Sequence, residues 1–134
     1  KMVKSKIEID KNIKHKNFKV VDARSYERFK GIVPELRTNV KSGSIKGSYC
    51  LPFTKIINKN NNTFKSNDEL NQIFKEVVNT EDNNIVFSCG SGVTASVLAL
   101  AYSLINNKYT PTIYDGSWSE YGLIKWKDQP KFYQ

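Results

Sequence analysis

The chain has 134 residues, 39% of them hydrophobic and 25% charged, with a formal net charge of +8. That length builds one domain with a buried core and excludes two. The longest apolar run, near Val97–Ala101, is far too short to span a bilayer, and the lysine-rich opening Lys1–Phe18 lacks the pattern of a secretory signal.

Phe18–Asp22 (F-K-V-V-D) reads as a short buried strand ending in a polar residue. Ser25–Lys30 follows as one or two helical turns stopped by Gly31. A loop then runs through Pro34 and the Ser42–Gly47 stretch to a second short strand, Tyr49–Leu51, closed by Pro52. Asn58–Asn62 is a polar surface loop. Ser66-Asn67-Asp68-Glu69 is a capping box, in which hydroxyl and carboxylate satisfy orphan amides reciprocally. Leu70, Ile73, Phe74, Val77 and Val78 continue it at helical spacing. Ile85–Ser88 is the next strand. Val93–Ile105 is the next helix, with Val97, Leu98, Ala101, Leu104 and Ile105 assigned to one buried face. Thr112–Asp115 makes a further strand and Ser117–Ile124 a last short helix.

Strands alternating with helices predict an α/β domain, a central mainly parallel β-sheet flanked by helices on both faces, with right-handed crossovers. Ligands of such sheets bind beyond the carboxyl ends of the strands. Chemistry is therefore expected after Asp22, after Ser88 and after Asp115.

Of the 21 basic residues only Arg24, Arg28 and Arg37 are arginine, and the lysines are scattered among asparagines. That spread describes a solvated surface, so no nucleic-acid partner is expected, and the short apolar runs leave no membrane partner expected either. Two cysteines, Cys50 and Cys89, do not make a disulfide framework. They point to a reducing compartment, cytoplasmic or mitochondrial, rather than secretion. The single histidine, His15, lies in a lysine-rich stretch and reads as exposed. Without a Cys/His cluster no metal is expected.

Cys89-Gly90-Ser91-Gly92-Val93-Thr94 lies between a buried strand and a helix start. Its two glycines permit a tight turn whose N–H groups point inward as an anion-binding nest, reinforced by the helix that follows. A cysteine at the base of that cradle has its thiolate stabilised and becomes a nucleophile. On residue types alone, a structural cysteine followed by a glycine turn remains the alternative. Cysteine phosphatase chemistry is not expected, because Ala95 stands where those enzymes carry the phosphate-gripping arginine.

The loop, continuing into Ala95, resembles the C-G-S-G-V-T-A active-site loop of the rhodanese-like sulfurtransferases, in the form associated with 3-mercaptopyruvate as donor. Val20-Val21-Asp22-Ala23-Arg24 is similar to the family's V-D-A/S-R strand end. The stretch from Glu27 to Arg37 resembles R-F-x-G-x-x-P-E-x-R, and Ser42–Gly47 resembles S-G-H-I-x-G, with Ser44 in place of His. Tyr114–Glu120 matches Y-D-G-S-W-x-E, with Tyr121 where a second tryptophan is common.

The resemblance implies a single catalytic rhodanese-like domain over residues 1–134, the carboxyl-terminal half of a tandem enzyme, with an amino-terminal rhodanese domain on the same chain as partner. The opening Lys in place of Met agrees with that expectation. Cys89 is the expected nucleophile, forming a persulfide, with Gly90, Gly92, Val93 and Thr94 lining the cradle. Ser91 is expected either to donate to the substrate carbonyl and assist proton transfer or to cap the helix. Arg28 and Arg37 match the family's carboxylate-binding pair, a role that suits the planar guanidinium fork. Arg24, beside Asp22, reads as structural. Trp118 is expected to wall the pocket or to cap the core.

A small-molecule sulfur donor and a thiol or thioredoxin-like acceptor complete the expected partners, and the resemblance implies no organic cofactor. Thiosulfate as donor, or a module that carries sulfur without turnover, are the alternatives. The neutral Gly90 and Ser91 argue against thiosulfate, because thiosulfate enzymes place basic residues at those positions.

Overall fold

A computed structural model describes residues 2–124. The elements in chain order are β1 (Met2–Lys4), α1 (Lys6–His15), β2 (Lys19–Asp22), α2 (Tyr26–Phe29) and β3 (Tyr49–Cys50). A 3-10 turn (Phe53–Ile56) leads into a small hairpin of β4 (Ile57–Asn58) and β5 (Thr63–Phe64), whose tip is the asparagine run. Then come α3 (Asn67–Lys75), β6 (Ile85–Ser88), α4 (Val93–Ile105), β7 (Thr112–Tyr114) and α5 (Ser117–Tyr121).

Five strands form one sheet in the order β1-β7-β6-β2-β3, and every pairing is parallel. The side-chain period of two sorts the strands into two cores. Val21, Ile85, Phe87 and Ile113 face one way, packing under Leu70 and Phe74 of α3 and Leu98 and Tyr102 of α4. Val20, Val86 and Tyr114 face the other, against Ile9 of α1 and Trp118 of α5. Helices therefore cover both faces, as the alternating pattern predicts.

The larger core is knit by aromatics. Tyr102 packs at 5.1 Å from Phe74 and 4.8 Å from Tyr109, ring centre to ring centre. Both tyrosines find partners for their hydroxyls: Tyr102 donates to Asp82 O at 2.7 Å and Tyr109 to Ile85 O at 2.9 Å. Removing one such buried ring costs about 3–5 kcal/mol.

Two expectations need correction, and the opening stretch carries elements that the sequence pattern leaves unassigned. The opening stretch carries β1 and α1, and α1 begins with a capping box of its own, Ser5 to Glu8. The α4 face is rotated: Leu104 is exposed, and Tyr102 is the side chain that points inward. The last helix stops at Tyr121 rather than running to Ile124. His15 is exposed, and both cysteines are buried free thiols. Among the described residues no helix is long and apolar enough to cross a membrane.

Candidate active site

Strand order reverses direction at β2, which has β3 on one side and β6 on the other. Such a switch point opens a crevice at the carboxyl ends of the two central strands. Here the Ala23 amide donates to Ser88 O at 2.8 Å, extending the β2–β6 ladder to the edge of that crevice. Cys89 follows directly, at the floor of a cavity of about 510 Å³.

The loop from Cys89 to Gly92 is held from behind by α5. The Trp118 amide donates to Cys89 O at 2.9 Å and the Ser119 amide to Gly90 O at 3.0 Å. With these carbonyls turned outward, the amides that follow face the thiol. The Gly92 amide donates to Cys89 Sγ at 2.8 Å. Gly92 takes φ +99°, and a Cβ there would meet Asp115 O and Oδ1 at 2.9 Å, so only glycine fits without displacement.

Burial, with 1% of Cys89 exposed, pushes its thiol up. Hydrogen bonds from the Thr94 side chain and the Ala95, Gly92 and Ser91 amides outweigh that penalty and hold it below its ordinary value. Cys50 behaves in the opposite way. Burial, helped by nearby Asp22, drives its thiol up to about 12, and it donates to Arg24 O at 3.4 Å.

Every residue expected at the site converges on it. Arg28, Arg37, Gly90, Ser91, Val93 and Thr94 line the cavity with Cys89, and Gly92 closes the cradle beneath them. A Cβ on Gly90 would stand 3.3 Å from both terminal nitrogens of Arg37 and 3.4 Å from Nη2 of Arg28. The two guanidiniums thus meet over the loop, one residue from the thiol.

The helix cap is Gly92, with no side-chain cap, so the capping role for Ser91 is withdrawn. Ser91 is exposed to the cavity instead. Arg24 is structural: its fork grips Asp22 at 2.7–3.1 Å, and Nη2 also donates to Gly43 O at 2.7 Å. Trp118 is 2% exposed within the second core and donates from Nε1 to Lys41 O, so it does not wall the pocket.

Two contributors were not anticipated. Glu35 bridges the arginine pair, one oxygen to each: Oε2 to Arg28 Nη2 at 3.2 Å and Oε1 to Arg37 Nη1 at 3.3 Å. Ser117 is fully buried, accepts the Cys89 amide at 3.1 Å and sits 3.9 Å from the sulfur. Their type and position in quoted motifs was the only available signal, since the contacts span loops far apart in sequence.

The family model described as rhodanese-like domain matches residues 5–123. The chain is 39% identical over 119 residues to 3-mercaptopyruvate sulfurtransferase of Mus musculus, an alignment covering 89% of this chain and 39% of that one. It is 37% identical over 123 residues to mitochondrial thiosulfate/3-mercaptopyruvate sulfurtransferase 1 of Arabidopsis thaliana, covering 92% and 31%. The solved 3-mercaptopyruvate sulfurtransferase of Leishmania major aligns with a TM-score of 0.71 and 31% identity, over 90% of this chain and 32% of that one. The chain therefore spans between 31% and 39% of the length of these proteins.

Proposed function

This chain belongs to the rhodanese-like domain family, and on that premise we propose that it is a sulfurtransferase domain taking sulfur from 3-mercaptopyruvate through a Cys89 persulfide. The observation that carries the reading is the meeting of two arginines over the same short loop that lowers the thiol's pKa.

Arg28 and Arg37 bind the donor carboxylate, which aims the donor's sulfur down at Cys89. The Cys89 thiolate attacks that sulfur. An S–S bond forms and the donor C–S bond breaks, its electron pair leaving as the enolate of pyruvate. The proton of the donor thiol passes to the enolate carbon, with Ser91 as the relay, giving pyruvate and an anionic persulfide. The amides of the cradle hold the new charge without having to move. A small thiol or thioredoxin-like protein then attacks the outer sulfur and regenerates the thiolate; in an assay cyanide does the same, leaving as thiocyanate.

The reading includes a second, amino-terminal rhodanese-like domain on the same polypeptide, for which the relatives' greater length leaves room. The coding sequence ahead of Lys1 tests that. For the chemistry, intact-mass spectrometry after incubation with 3-mercaptopyruvate should show a single added sulfur that Cys89→Ser abolishes. No added sulfur, or one that survives Cys89→Ser, overturns the reading. Thiosulfate used as well as 3-mercaptopyruvate would assign the domain to the thiosulfate class instead, and a persulfide that no acceptor discharges would make it a carrier.

A further inference from the structure

Resting on that reading, we propose that Glu35 sets the charge class of the donor. It splays Arg28 and Arg37 over Gly90 and reduces their combined charge from two to one, so the cavity selects monoanions over dianions.

The Glu35 side chain is 4% exposed, while those of Arg28 and Arg37 are 36% and 39% exposed. The carboxylate is thus sunk beneath two open guanidiniums. The Arg37 amide also donates to Oε1 at 3.2 Å, so three bonds fix the carboxylate where it lies. Burial opposes its ionisation, but the Arg37 amide and the Arg28 guanidinium outweigh burial and keep it charged at neutral pH.

The other cations of the cavity wall are already neutralised, Arg24 by Asp22 and Lys55 by Glu76. Glu27 at the rim is exposed and screened by water. Beside the Cys89 thiolate, the fixed charge that a donor meets at the loop is therefore that of two arginines less Glu35.

3-Mercaptopyruvate brings one negative charge, and thiosulfate brings two. Removing the carboxylate charge favours both, but the dianion twice as much. For a donor ~6 Å from position 35 at an effective dielectric of ~40, the differential is about tenfold. Gly90 and Ser91 remove cations from the loop, and Glu35 cancels one beneath it. The two devices act in the same direction from different parts of the chain.

The test compares wild type with Glu35→Gln, which keeps the shape and loses the charge, and with Glu35→Asp, which keeps the charge. Protection of Cys89 from iodoacetamide is measured with pyruvate as the monoanion and sulfate as the dianion. Steady-state kcat/KM is measured with 3-mercaptopyruvate and thiosulfate, using cyanide as acceptor. Glu35→Gln should move both dianion-to-monoanion ratios about tenfold upward, by the Coulomb argument above. Glu35→Asp should hold them near wild type, and added salt should shrink the difference. If both ligands weaken together and the ratio stays put, Glu35 is merely structural and the proposal falls. Protection without turnover in wild type would overturn the sulfurtransferase reading while leaving the charge selection standing.

Discussion

Replacing Gly92 with alanine strikes the point where backbone, cradle and thiol meet. The residue has φ +99°, and a Cβ would press on Asp115 O and Oδ1 at 2.9 Å. A left-handed backbone alone costs an L-residue about 1–2 kcal/mol. Moving a backbone carbonyl out of the way brings the total to about 2–4 kcal/mol. In a domain of this size that lowers Tm by about 6–15 °C.

The same displacement carries the residue 92 amide off Cys89 Sγ, its acceptor at 2.8 Å. Losing one hydrogen bond to a charged sulfur costs about 1.5–3 kcal/mol. That corresponds to a rise of about 1–2 units in the thiol pKa. The thiolate is the reactive form, so alkylation at neutral pH slows and the midpoint of its pH profile moves up. Iodoacetamide rates from low to high pH, followed by intact mass, read that midpoint directly, and thermal melts read the stability. A Gly92→Ala protein that melts early with an unmoved alkylation midpoint would refute the account of the cradle.

The two cysteines should differ sharply in the wild type. At neutral pH iodoacetamide should label Cys89 alone, because burial holds Cys50 at about 12; peptide mapping that finds Cys50 labelled at a similar rate contradicts this. The depressed Cys89 pKa also has a stability sign. Its contribution is full above the unfolded thiol's range and is lost as pH falls through the folded value, so Cys89→Ser should flatten that slope in pH-dependent melts. Ser66→Ala removes the α3 capping box and should cost about 1 kcal/mol, seen as a lower Tm with the Cys89 alkylation rate unchanged.

What could be read in advance follows the range of each interaction. The strands that end on Asp22 and Ser88, and the one that Asp115 follows, are legible because a buried parallel strand is a short apolar run bounded by a polar residue. The Ser66 capping box was visible because its two bonds lie within one turn. The N-terminal α1 is not legible from the sequence, although Ser5 and Glu8 form the same box. It buries only Ile9 fully, and three lysines, two acids and an exposed Ile7 among the other positions mask that one inward side chain. In α4 the reverse holds. Apolar residues lie all round it, so periodicity does not separate the buried Tyr102 from the exposed Leu104. Arg28 and Arg37 were expected at the site, yet the Glu35 that holds them was not, because a carboxylate near arginines looks like any surface pair until its burial is known.

The hydrogen bonds from Trp118 and Ser119 to the Cys89 and Gly90 carbonyls have a consequence for catalysis as a whole. Water around a reacting thiolate must reorient as charge shifts from one sulfur to the next, and that reorientation is part of the barrier. Here the dipoles were oriented when the chain folded, by a helix on the far side of the loop from the donor. The work of solvent reorganisation is thus transferred from the reaction to the folding equilibrium. On the proposed reaction, loosening α5 slows sulfur transfer while every group that touches the donor remains in place.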